Sequence, residues 1–294
     1  MTETQTKTET RTLEVPGGTV QYDVRGDLHA DGPHRVLVLA GYPMDATGFG
    51  TLASYFTDRP VVTYDPRPVG RSTGAYDDRP LNPQDHAEDL HRMISALGVG
   101  PVDLFGSSGG AVNALALVAG HPEQVGSVVA HEPPLASVLP DREPLFAACT
   151  DIYDTYESAG SGPAMAKFIA LVQHKGELPA TYADLPAPDP AAFGLPTDDD
   201  GSRDDPMLGQ SIRTIPQYEP DLGALGSAST RIVVAAGVES EGEMAARGAA
   251  AFAERLGVEL TMFPSHHGGF LGGEFGQRGD PDGFAAALRT ALDG

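Results

Sequence analysis

Six short runs punctuate the chain with almost unbroken apolar character. They are "RVLVLAG" (35–41), "VVTYDP" (61–66), "PVDLFGS" (101–107), "GSVVAHEP" (126–133), "TRIVVAAG" (230–237) and "VELTMFPS" (258–265). Each ends in Gly, Pro, Ser or an acid, and continuous rather than alternating hydrophobicity is the pattern of strands covered on both faces. Ahead of them, "TLEVPGG" and "VQYDVRGD" alternate apolar and polar positions around Gly17 and Gly18, which predicts a two-stranded hairpin. Between the runs lie segments with helical spacing: "TGFGTLASYFTD", "NPQDHAEDLHRMISALG", "SGGAVNALALVAGHP", "EMAARGAAAFAERLG" and "DGFAAALRTALDG". Asn82 or Asp85 suits the cap of the second, and glycine follows the last turn of several. Strands alternating with helices imply βαβ units, hence an α/β fold with a mostly parallel sheet, helices on both faces and right-handed crossovers.

The alternation breaks between about residues 138 and 225. Two helical pieces, "REPLFAACTDIYDTYESA" and "GPAMAKFIALVQHKG", precede the Pro- and Asp-rich stretch "LPAPDPAAFGLPTDDDGSRDD". Clustered like charges repel and resist burial, so that stretch reads as a solvated loop. The expected organisation is a disordered tail over 1–10, a core over 11–137 and 226–294, and a lid over 138–225 lying above the strand ends. Apolar residues of the lid, Phe146, Tyr153, Met165, Phe168 and Ile169, either line a pocket or form the lid's own core.

Composition narrows the function. A net charge of −22 repels phosphates, which argues against nucleic acid and anionic membrane surfaces and favours a small-molecule substrate. The first ten residues, "MTETQTKTET", lack the apolar core of a signal peptide, and no run approaches the roughly 20 apolar residues of a membrane span. A soluble, cytoplasmic protein is expected. Cys149, the single cysteine, reads as a small buried hydrophobe.

The chemistry concentrates in "DLFGSSGGAVNAL". Under the spacing G-x-S-x-G, Ser107 fails because position 105 is Phe105, whereas Ser108 has Gly106 two before it and Gly110 two after. A nucleophile lifted onto a sharp strand-to-helix turn needs small neighbours for the turn to close, and the strand before and helix after supply that context. "GSSGG" matches neither G-x-G-x-x-G nor a lysine-bearing phosphate loop. A serine hydroxyl needs a base, itself oriented by an acid. The late loop "FPSHHGGF" offers His266 and His267, of which one can serve. Adjacent histidines diverge, unlike a helical metal-binding pair, so neither a metal nor another cofactor is expected.

In order and separation, "RVLVLAG" with "YPMDATGF", the loop "YDPRPVGRST", the elbow "GSSGG" and "SHHGGF" resemble the α/β-hydrolase superfamily over about residues 12–292, lid excepted. Relatives often read Pro-Gly-x-His-x-Gly-Phe in the late loop, which places the base on His267. "AGYP" resembles the His-Gly-x-Pro oxyanion loop, with Ala40 in place of histidine, and implies that the Tyr42 N–H donates to an oxyanion together with that of Gly109. The "YDPRPVGRST" loop departs at Pro68, where glycine is usual, and its Asp65 and Arg67 read as structural.

The acid stays open at this point. Relatives commonly carry it after strand 7 as Gly-x-x-Asp, but here "AAGVESEGE" puts Ser240 in that slot, flanked by Glu239 and Glu241. Other members carry it after strand 6, where this chain has Glu132, stiffened by Pro133 and Pro134 at the carboxyl end of a strand. Glu132 is the first candidate and Glu239 the alternative. The resemblance implies a serine hydrolase of a carboxylic ester, thioester or lactone, with an acyl-enzyme on Ser108. An acyltransferase or perhydrolase-type use of the same residues and a non-catalytic ligand-binding member of the fold are the alternatives. Oligomeric state is not legible.

Overall fold

The computed structural model describes residues 8–30, 32–74 and 79–294. Eight strands, β1 (Thr8–Val15), β2 (Gly18–Arg25), β3 (Leu37–Ala40), β4 (Val61–Asp65), β5 (Val102–Ser107), β6 (Val125–His131), β7 (Arg231–Gly237) and β8 (Leu260–Phe263), form one sheet. The order is β1-β2-β4-β3-β5-β6-β7-β8. The β1–β2 hairpin and the β2–β4 pair are antiparallel, and the remaining pairs are parallel.

Period-two side-chain alternation sorts the central strands onto two faces. Val38, Leu104, Val128 and Val234 pack with the helices Pro83–Leu97, Gly109–Gly120 and Met244–Leu256. Leu37, Leu39, Phe105, Val129 and Ala235 pack with Phe284 and Leu288 of the helix Pro281–Asp293 on the other side. Burial on both faces is why these strands read as unbroken apolar runs. The helix Pro83–Leu97 opens on a reciprocal cap: Asn82 accepts the Asp85 N–H, and Asp85 accepts the Asn82 N–H. Both residues proposed as its cap therefore take part.

β1 starts at Thr8, so the tail expected through residue 10 is already strand at Thr8–Thr10, which pair with Arg25, Val24 and Asp23. Thr10 Oγ1 donates to Asp23 Oδ1 at 2.6 Å. This outermost strand pairs only with β2 and lacks an apolar signal at its start, because its residues are largely exposed and polar. Residues 1–7 of that tail lie outside the described residues.

Between β6 and β7 the insertion carries the helices Arg142–Ala159 and Ser161–Gln173, followed by short turns. Leu145, Cys149, Ile152, Tyr156, Leu171 and Leu208 give it an apolar cluster of its own. The acidic run around residues 197–204 is mostly exposed, as charge repulsion requires. Arg247 on the helix Met244–Leu256 clamps Asp141 at 2.6 and 3.1 Å and ties the base of the insertion to the core. Among the described residues no helix is long and apolar enough to cross a membrane.

Candidate active site

Parallel strands deliver their carboxyl ends to one edge of the sheet, and the predicted residues gather there. Ser107 is the last residue of β5 and buried; Ser108 breaks from the strand with φ 56° and ψ −127° before the helix begins at Gly109. A serine at positive φ is held only where its surroundings over-determine it. Here the Ser108 N–H donates to His131 O at 3.0 Å, and the Ser108 carbonyl accepts from Ala111 N–H at 2.9 Å. The two flanking glycines are required by close approach. A Cβ on Gly106 would lie 2.7 Å from Ala111 Cα, and one on Gly110 would lie 2.2 Å from Ala40 O. The G-x-S-x-G spacing thus corresponds to two backbone contacts that no side chain permits.

Glu132 follows β6 directly, also at positive φ, 47°. Its N–H donates to Ala235 O at 2.8 Å on β7, which fixes where the side chain starts. Fully buried, the carboxylate takes two bonds: His267 Nδ1 at 2.5 Å on Oε2 and Gly237 N–H at 2.7 Å on Oε1. Burial pushes its pKa upward, but the His267 hydrogen bond and charge and the Gly237 N–H outweigh burial and hold it at about 2. With Nδ1 spent on Glu132, the Nε2 of His267 is the nitrogen left for chemistry.

The two carboxylates offered as the acid differ in their placement: Glu132 bonds His267, and Glu239 does not. Glu239 is exposed and, among the described residues, makes no side-chain bond to His267. Its loop contributes backbone instead: the Glu239 N–H donates to Ser265 O at 3.0 Å. Ser240 is buried, with its Oγ unpartnered among the described residues. The last residue of β7, Gly237, therefore contributes its N–H to Glu132, the first candidate, while the turn beyond it brings no carboxylate to His267 among the described residues. His266 is occupied elsewhere: its Nδ1 accepts from Gly268 N–H at 3.1 Å and its Nε2 faces Arg278 O at 3.3 Å.

Tyr42 lies two residues beyond β3, against the elbow. A Cβ on Gly109 would lie 2.7 Å from Tyr42 O and 3.2 Å from its Cδ1. Gly109 is the first residue of its helix, so its N–H has no intrahelical acceptor. Among the described residues, no backbone hydrogen bond occupies the N–H of Tyr42 or of Gly109. The Tyr42 ring is buried 4.4 Å from the His86 ring, and its hydroxyl reaches the insertion, bonding Pro206 O at 3.4 Å and the Ser211 side chain. Asp65 and Arg67 behave as structural groups: Asp65 accepts N–H bonds from Ala46 and Arg71, and Arg67 grips Asp89 at 2.7 and 2.9 Å.

Two groups escaped the sequence reading. His131, the last residue of β6, is buried among Phe105, Phe263 and Phe284, with its ring 6.3 Å from that of His267. Neither of its nitrogens has a partner among the described residues, and burial lowers its pKa to about 4, keeping it neutral at ordinary pH. Gly237 was read as the end of a strand and a place to count from, not as a donor. A histidine inside an apolar strand is the only signal that could have flagged the first; nothing in the sequence flags the second.

Ser108, Gly109, Tyr42 and His267 border one cavity of about 730 Å³. Its far wall comes from the insertion: Met165, Phe168 and Ile169 line it, and Met165 and Phe168 also pack against the insertion's own cluster, as do Phe146 and Tyr153, which do not border the cavity. Cys149 also borders it, with burial pushing its thiol up to about 12, far from a reactive thiolate. A second concavity, about 420 Å³, opens at the opposite end of the sheet between Arg25, His34 and Arg59 and holds none of these groups.

Residues 35–170 match a family model described as the alpha/beta hydrolase fold. Over 271 residues the chain is 31% identical to the uncharacterized hydrolase YraK of Bacillus subtilis (strain 168), covering 88% of this chain and 89% of that one. Among solved structures it resembles MGS-M2, an alpha/beta hydrolase from a Medee basin deep-sea metagenome library, with TM-score 0.67, 16% identity and coverage of 97% and 98% of the two chains. It also resembles a thermophilic esterase from Thermogutta terrifontis, with TM-score 0.65, 16% identity and coverage of 98% of each. The strand order, the elbow at the end of β5 and this whole-length likeness agree, and the chain belongs to the α/β-hydrolase superfamily.

Proposed function

We propose that the protein is a serine hydrolase that cleaves a carboxylic ester, thioester or lactone of a small molecule. The observation that carries this reading is that the strained Ser108 and the Glu132-bound imidazole of His267 border the same cavity. In the proposed reaction His267 Nε2 takes the proton of Ser108 Oγ as the oxygen attacks the substrate carbonyl. The developing oxyanion receives the N–H groups of Tyr42 and Gly109, donors worth several kcal/mol of barrier together. His267 returns the proton to the leaving alcohol or thiol, and an acyl group remains on Ser108. Water then gives its proton to His267 and attacks the acyl carbon, releasing the carboxylic acid and restoring the serine. Glu132 stays ionised throughout, holding the imidazole in the productive tautomer and offsetting its transient positive charge. The name of the Bacillus subtilis relative, a hydrolase, supports the use of water as acyl acceptor.

A fluorophosphonate probe tests the proposal. The wild-type protein should be labelled on Ser108 and lose its p-nitrophenyl ester hydrolysis in step with labelling, while Ser108→Ala should take no label. A folded wild-type protein that resists the probe and turns over no ester would overturn it and favour a ligand-binding role.

A further inference from the structure

Of the described residues that line the 730 Å³ cavity, none is Lys or Arg, and Glu243 is the one carboxylate. Glu243 is the N-cap residue of the helix Met244–Leu256, yet its side chain makes no capping bond. The short side chains of Ser, Thr, Asp and Asn reach the exposed N–H groups of a first turn; that of glutamate is one methylene longer. Its backbone is fixed on both sides, with the N–H on Ser240 O at 3.0 Å and the carbonyl accepting Arg247 N–H at 2.9 Å. Its carboxylate forms no hydrogen bond or ion pair with any described residue. Lys175 pairs with it through backbone across an isolated bridge, but Lys175 is exposed and no ion pair joins the two side chains.

We infer that Glu243 sets the substrate's charge: the hydrolase takes esters that carry an ammonium group on the acyl or the alcohol side, and it discriminates against carboxylate-bearing esters. This inference rests on the hydrolase reading above. Glu243 is half-buried at the cavity and unpartnered, so a cation arriving with the substrate supplies the partner the protein omits. An anionic substrate meets Glu243 without a lining Lys or Arg among the described residues to compensate, inside a chain of net charge −22.

The test compares matched esters: a trimethylammonio-hexanoate ester against the isostere with carbon in place of nitrogen, and a choline ester against its carbon isostere. In at least one series the wild type should favour the cation in kcat/KM by on the order of 10-fold, the size expected of a half-exposed charge pair. Glu243→Gln should bring that ratio to about one, and Glu243→Lys should invert it. Ratios near one in the wild type for both series, or a wild-type ratio unchanged in Glu243→Gln, would overturn the inference. If no ester of either series turns over, the hydrolase reading fails, and binding of hexyltrimethylammonium followed by ligand-observed NMR decides on Glu243 alone. Tighter binding by wild type than by Glu243→Gln supports the assignment, and equal binding overturns it.

Discussion

The cavity has two walls built on different terms. On the sheet side, Ser108 and Glu132 leave their strands at positive φ, and each is pinned by a main-chain bond to the neighbouring strand, at 3.0 and 2.8 Å. Their positions are properties of the backbone. On the insertion side, Met165, Phe168 and Ile169 present side chains from one helix, and adaptable apolar contact is all they offer. The groups proposed to break and form bonds are placed by main-chain geometry, as proximity and preorganisation demand. The groups that meet the rest of the substrate can be exchanged without disturbing that frame. Tyr42 touches both walls, with its carbonyl against the elbow and its hydroxyl on the insertion.

The sharpest way to break this contrast is to change one carboxylate atom on the sheet side. Glu132→Gln keeps the shape but removes the charge that faces His267 Nδ1 at 2.5 Å. It should lower kcat for p-nitrophenyl esters by roughly 10²- to 10⁴-fold, the cost of a mis-set tautomer and an unsupported imidazolium. Glu239→Gln, exposed and unbonded to His267, should stay within about 2-fold of wild type. A larger loss in Glu239→Gln than in Glu132→Gln would move the acid to the turn after β7.

A second test concerns the stability of the sheet side. Burial lowers His131 to about 4 and, with help from the Arg67 charge, lowers His86 to about 3, both from 6.5. A histidine whose folded pKa is depressed binds its proton more readily in the unfolded chain. Stability is therefore complete above pH 6.5 and falls as the pH drops toward the folded values. For His131 the loss over that window is on the order of 3 kcal/mol. Glu132, depressed from 4.5 to about 2, adds its own loss only below pH 4.5. Urea midpoints measured between pH 6.5 and 5 should fall in the wild type, and in His131→Leu the slope should shrink by about one proton. An unchanged slope would mean that the histidine is already partnered, for instance by buried water.

How much of this was legible follows the same division. The strands, both sheet-covering helix layers, Ser108 and His267 could be read because each depends on local chemistry: an apolar run, a cap, a pair of glycines around a serine, a histidine on a glycine-rich turn. Glu132 could be singled out but not separated from Glu239. Their difference is tertiary: β6 and β7 lie side by side, so the last residue of β7 offers the Gly237 N–H to Glu132 while Glu239 stays in solvent. The start of β1 was missed because an exposed edge strand of Thr, Glu and Arg carries no apolar period. In the insertion, spacing alone could not tell lining from core, since Phe146, Tyr153, Met165, Phe168 and Ile169 all lie on helical faces. Which of them meets the cavity depends on how its two helices cross, and that is set by contacts distant in sequence.

The smallest expected effect tests the insertion wall directly. Phe168 borders the cavity from the insertion helix Ser161–Gln173, so Phe168→Ala should enlarge the space offered to the acyl chain while leaving the sheet-side frame in place. With p-nitrophenyl esters of increasing length, the chain length that gives the highest kcat/KM should increase. The discrimination between neighbouring lengths should change by about 10-fold or less, the scale set by a methylene or two in an apolar pocket. Ser108 labelling by the fluorophosphonate should keep nearly its wild-type rate, because that small probe depends on the serine, its base and the oxyanion donors. A large fall in labelling would show that the two walls are mechanically coupled, with the Tyr42 hydroxyl contact to Pro206 and Ser211 as the connection to cut next.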